Sequence, residues 1–97
     1  MRLTPKQIAI IRQTAAEIFG AKARVWLFGS RVNDQAIGGD IDLFVETDTR
    51  PALHQTLSAQ ARLEQLLGEP VDLITGTPHP SQRPIERIAR LTGVPLT

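Results

Sequence analysis

The run Ala23-Arg24-Val25-Trp26-Leu27-Phe28 constrains this chain more than any other stretch. It is short, rich in β-branched and aromatic residues, and apolar at both parities, which is the pattern of a central strand covered on both faces. The flanking segments offer the cover. Thr4-Pro5-Lys6-Gln7 combines an N-cap residue, proline at the first helical position and glutamine at the capping-box position, followed by Ile8, Ile11, Ala15, Ile18 and Phe19 at helical spacing and then Gly20 as a stop. Ile41 to Glu46 alternates as a second strand, with Ile41, Leu43 and Val45 on one face and Asp40, Asp42 and Phe44 on the other. Thr49-Arg50-Pro51 predicts the start of a second helix by the same cap-and-proline logic, with Leu53, Leu57, Ala61, Leu63 and Leu67 on one broad face and Gly68 as its end. Val71 to Thr75 reads as a third strand. After a turn-rich loop from Gly76 to Ser81, Arg83 to Leu91 reads as a last helix terminated by Gly93 and Pro95. The expected class is α/β or α+β: a small three-stranded mixed sheet with helices packed on it.

The chain's 97 residues suit one domain, residues 1–97, with a modest core. No uncharged apolar run approaches the ~20 residues of a membrane span. The first residues show no continuous apolar stretch or cleavage site of a secretory signal, so the expected compartment is the cytoplasm. With no cysteine, any bound metal must take oxygen or imidazole ligands. Eleven basic and ten acidic residues give a net charge of +1, which argues against nucleic-acid binding by bulk electrostatics. The distribution says more: between Arg31 and Arg50 lie five acids (Asp34, Asp40, Asp42, Glu46, Asp48) and no base, whereas Arg83, Arg87 and Arg90 gather near the C-terminus. The middle of the chain is suited to meet a cation.

The chemistry concentrates in Leu27-Phe28-Gly29-Ser30-Arg31 and Asp40-Ile41-Asp42-Leu43, at the end of one expected strand and the start of the next. Glycine lets backbone approach an anion, a following hydroxyl can donate to phosphate oxygens, and amides opening a short helix point the same way. Two aspartates at i and i+2 on a strand project from one side, where their hard oxygens suit Mg²⁺ that also coordinates substrate phosphates. Without a cation each carboxylate would raise the pKa of the other. Asp72 joins them if the third strand neighbours the second, as metal ligand or as general base. Gly29-Ser30-Arg31 lacks the Gly-Lys-Ser/Thr continuation of a Walker-type loop.

Gly29-Ser30, nine residues from Arg31 to Gly39, Asp40-Ile41-Asp42, and Asp72 on a later strand resemble the polymerase-beta-type nucleotidyltransferase superfamily, and within it the minimal nucleotidyltransferase (MNT) group. The resemblance extends to the closing Arg87-Ile88-Ala89-Arg90-Leu91-Thr92-Gly93-Val94-Pro95-Leu96. It implies that Gly29 and Ser30 bind the β- and γ-phosphates of ATP or another NTP, with Arg31 as a further phosphate contact. It implies that Asp40 and Asp42 hold two Mg²⁺ ions, and that Asp72 is the third carboxylate, helping an acceptor hydroxyl attack the α-phosphate. The reaction so implied transfers a nucleoside monophosphate, AMP from ATP, to a hydroxyl. Small members of the group pair with helical HEPN-type proteins in toxin–antitoxin modules, so the resemblance also implies such a partner. The competing expectation is a non-catalytic module of the same fold that neutralises a HEPN-type RNase by contact.

Other residues have plainer readings. Trp26 belongs to the core, and His54 and His79 are surface residues without partners at metal-ligand spacing. Arg83, Arg87 and Arg90 share one helical face opposite Ile85, Ile88 and Ala89, either a solvated face or one that binds phosphate or a partner. A DNA polymerase is disfavoured, since no basic groove is evident.

Overall fold

A computed structural model of the chain describes residues 3–32, 40–78 and 84–97, with the side chains of Ser30 and Arg31 outside the described set. Helix α1 spans Pro5–Phe19, strand β1 Arg24–Phe28, β2 Ile41–Glu46, helix α2 Leu53–Leu67, strand β3 Val71–Gly76, helix α3 Pro84–Thr92 and strand β4 Val94–Pro95; a short 3-10 helix, Gly29–Val32, follows β1. The α1 start is as the sequence predicts: Thr4 Oγ1 accepts from the Gln7 amide at 3.1 Å and Gln7 Oε1 accepts from the Thr4 amide at 2.9 Å. This reciprocal cap satisfies two amides that the helix cannot, worth about 1 kcal/mol.

The sheet order is β3-β2-β1-β4, so the strand count is four rather than the expected three. β1 pairs antiparallel with β2 and β4, while β2 and β3 run parallel. The fourth strand escapes periodicity because it is two residues long and contains Pro95. Long-range bonds define it, with the Leu96 amide donating to Val25 O at 2.8 Å and the Val25 amide to Thr97 Oγ1 at 3.2 Å.

The central strand β1 is covered on both sides. On one face, Val25, Leu27, Ile41, Leu43, Val45, Val71 and Leu73 pack with Ile11 and Ala15 of α1 and Ala59 and Leu63 of α2. On the other, Phe28 and Phe44 form a smaller cluster with Ala89 of α3, flanked by Trp26 and Ile74. Three rows of side chains cross this second face: Phe28–Asp42–Asp72, Trp26–Phe44–Ile74 and Arg24–Glu46–Gly76.

Two helix readings are corrected. Helix α2 begins at Leu53 with Ala52 as N-cap, and the Thr49-Arg50-Pro51 segment stays outside it, in a turn where the Thr47 hydroxyl donates to Thr49 O at 2.6 Å. Its buried face is Ala59 and Leu63, whereas Leu53 and Leu57 are exposed. On α3 the buried residues are Glu86 and Ala89; Ile88 is 51% exposed, and Arg90 is drawn inward rather than solvated. The reason lies across the interface. Arg90 Nε meets Glu46 Oε2 at 3.1 Å, its guanidinium carbon stands 4.9 Å from the Phe44 ring centroid, and it donates to Thr77 O. A side chain at Gly76 would collide with the Glu86 carboxylate and with Phe44, so the bare backbone of this strand residue admits the buried acid.

Candidate active site

The open end of the second sheet face carries the acidic row. α3 covers the Phe44 and Glu46 rows and packs Ala89 into the cluster with Phe28, leaving Asp42 half-buried and Asp72 exposed. Asp42 is directly opposite Phe28 on one side and Asp72 on the other. Because side chains alternate along a strand, in-register pairing of these two aspartates puts both on the same face. Parallel pairing thus joins residues thirty positions apart in sequence. Asp40 lies just before β2 and is exposed, as is Asp72, while Asp42 is half-buried.

Burial is the first cause that pushes the Asp42 carboxyl above its ordinary range, followed by the charge of Asp72 and then that of Asp40. Three like charges therefore converge without a described cationic neighbour. The Arg31 side chain, the expected base nearest the site in sequence, lies outside the described residues, as does that of Ser30.

Gly29 closes the row from above. It has φ of 76°, in the left-handed region, and a side chain there would strike Asp42 Oδ2 and lie 3.0 Å from Asp42 Cγ. The turn backbone and the Asp42 carboxylate therefore share a space that only glycine leaves free. The 3-10 helix begins at this residue.

The structure thus brings Gly29, Asp42 and Asp72 together and places Asp40 at the rim. Among the described residues, no three acidic or histidine side chains close into a complete metal-ligand set. Mg²⁺ binds through one or two carboxylates, keeps waters and takes phosphate oxygens rather than demanding an all-protein cage. The donor set fits that ion: hard oxygens only, one of them disfavoured in its charged form by burial and by like charge. His54 is exposed on α2, Trp26 packs against Phe44 with centroids 5.6 Å apart, and His79 and Arg83 lie outside the described residues. Gly38 and Gly39, read in the sequence as a flexible point, lie outside them too.

The family model for the nucleotidyltransferase domain matches residues 8–92. Comparison with curated protein sequences gives no match. Among solved structures, a chain from tri-AMPylated Shewanella oneidensis HEPN toxin in complex with MNT antitoxin is similar, with a TM-score of 0.73 and 18% identity over 95% of this chain and 70% of that one. At that identity the likeness is one of fold, and it extends over the sheet and the helices on both of its faces.

Proposed function

The chain belongs to the nucleotidyltransferase domain family, and from that premise we propose that it transfers a nucleoside monophosphate, AMP from ATP, to a hydroxyl acceptor. The observation that carries the proposal is the in-register pair Asp42–Asp72 beneath the backbone of Gly29. Gly29 and Ser30 supply the turn that takes the β- and γ-phosphates, with Arg31 as an added anion contact. Asp40, Asp42 and Asp72 would hold two Mg²⁺ ions, which supply charge neutralisation and polarise the attacking and leaving oxygens. Asp72, exposed on the acceptor side of the row, orients the hydroxyl and takes up its proton. As the acceptor oxygen bonds to the α-phosphorus, the bond to pyrophosphate breaks, and the turn at Gly29 retains the leaving group's charge.

The acceptor we propose is a helical HEPN-type partner in the cytoplasm, by likeness to the fold of the complex in which the HEPN toxin carries AMP groups. The test is incubation of the chain with α-labelled ATP, Mg²⁺ and a candidate HEPN-type partner. Label on the partner, lost with Asp40→Asn/Asp42→Asn, is the expected result. Neutralisation of the partner without ATP and by the double variant would instead identify the chain as a masking module that acts by contact.

A further inference from the structure

Among the described residues β3, the strand that carries Asp72, is an edge strand, bonded to β2 on one side only. The parallel ladder uses alternate residues: the Ile41 amide donates to Pro70 O at 3.1 Å and the Thr47 amide to Gly76 O at 2.9 Å. That alternation turns the amides of Val71 and Leu73, which flank Asp72, away from β2. An edge strand ordinarily leaves such amides to water or to an incoming strand. Here they are taken by two side chains from one helix. The Val71 amide donates to Glu64 Oε2 at 3.0 Å and the Leu73 amide donates to Gln60 Oε1 at 3.3 Å. Gln60 and Glu64 sit four residues apart on α2, one helical turn, and so reach alternate amides of the adjoining strand.

We propose that Gln60 and Glu64 are positioning residues for Asp72, clamping the backbone on both sides of it so that its carboxylate stays opposite Asp42. The proposal rests on the reading of Asp72 as part of the transfer site. β2 holds one side of this short segment and α2 the other. Asp72 itself is exposed, so its placement depends on its backbone rather than on packing of its side chain. Groups hydrogen-bonded directly to a metal ligand change affinity or rate by about 10- to 100-fold when lost. These two contacts act through the backbone one residue to either side of Asp72, so the lower end of that range is the expectation. The same two bonds close the outer edge near the site against strand addition, so an extended segment of another chain cannot pair there and cover Asp72.

The test compares Gln60→Ala/Glu64→Ala with the acceptor-preserving pair Gln60→Glu and Glu64→Gln. The alanine variant is expected to lower kcat for label transfer about tenfold, with the ATP KM within about twofold because the phosphates bind elsewhere. It should also speed hydrogen exchange at the Val71 and Leu73 amides and weaken Mn²⁺ binding, measured by electron paramagnetic resonance. The acceptor-preserving variants should keep parental values in all three readouts. Parental exchange and parental kcat in the alanine variant would overturn the clamp, as would equal losses in the acceptor-preserving variants. If the parent itself transfers no label, the transferase reading fails. The clamp is then judged on exchange and Mn²⁺ affinity, where no change in the alanine variant overturns it.

Discussion

Asp42 and Glu46 lie on the same face of the same strand, each one repeat of the pleat from Phe44, and are treated in opposite ways. Glu46 receives the Arg90 guanidinium at 3.1 Å, and that contact helps seat α3 on the sheet. Asp42 receives two further carboxylates and partial burial, which drive its pKa up. The fold meets an acid with a cation at one end of the strand and, among the described residues, sets no cation against the acid at the other end. The unsatisfied end is also where Gly29 leaves no room for a side chain. One acid serves the fold; the other, in the proposed reading, takes a ligand that brings positive charge.

The largest expected effect comes at the unsatisfied end. Asp42→Asn should lower transfer of label from ATP on the order of 1000-fold, because several kcal/mol of charge stabilisation in the transition state depend on the carboxylate. The same variant should melt higher than the parent when both are measured in EDTA, since it removes a carboxylate that burial and its neighbours disfavour. A lower melting temperature in EDTA would break the contrast between the two acids. Next in size is Gly29→Ala. It places a side chain against Asp42 at a positive φ, and a loss of about 1–3 kcal/mol is expected in denaturant melts, together with loss of transfer. At the satisfied end, Arg90→Ala leaves Glu46 partly buried without its partner; thermal unfolding should show a cost of about 2 kcal/mol. Its effect on nucleotide KM should be minor if α3 serves mainly to cover the Phe44 row.

The pH dependence sharpens the comparison further. Because the Asp42 pKa is raised in the folded state, the folded chain holds a proton that the unfolded chain has already lost between the ordinary value of 3.8 and the raised one. Through that window unfolding free energy falls as pH rises, and above it the full penalty remains. Without divalent ion, Asp42→Asn should flatten that slope, and Mg²⁺ should flatten it in the parent by favouring the carboxylate. The smallest effect is expected far from either acid. The Arg62–Glu17 bridge spans 2.7 Å but its side chains are 45% and 52% exposed, so Arg62→Ala should change stability by less than about 0.5 kcal/mol.

Local chemistry made much of this visible before the fold was. Thr4, Pro5 and Gln7 announce α1 because a capping box is complete within four residues, and the alternation of Ile41, Leu43 and Val45 announces β2 because one face is uniformly apolar. Asp72 was legible as a strand aspartate. Its register with Asp42 was not, since that depends on which strands neighbour each other. The same cap-and-proline logic failed at Thr49, where the segment forms a turn and Ala52 caps α2 with only the Gln55 side chain to accept its amide at 3.0 Å. The inward turn of Glu86 and Arg90 on α3 gave no signal in the sequence, because amphipathic patterning assigns apolar residues to the core. Glu86 and Arg90 turn inward toward Gly76 and Glu46, partners set by distant strands. Gln60 and Glu64 gave no signal at all, because their partners are backbone amides, which every sequence possesses.

The parallel pairing of β2 and β3 has one more consequence. If β3 slipped by a single residue, Asp72 would turn into the apolar layer against α1 and α2, and Leu73, now 7% exposed, would turn out of it. Such a chain would trade a buried leucine for a buried charge and could not compete with the native pairing. Assembly of the carboxylate pair and consolidation of the core are therefore one event. The population of stably folded but misaligned molecules should be negligible, and a preparation's folded fraction should equal its fraction with an aligned site.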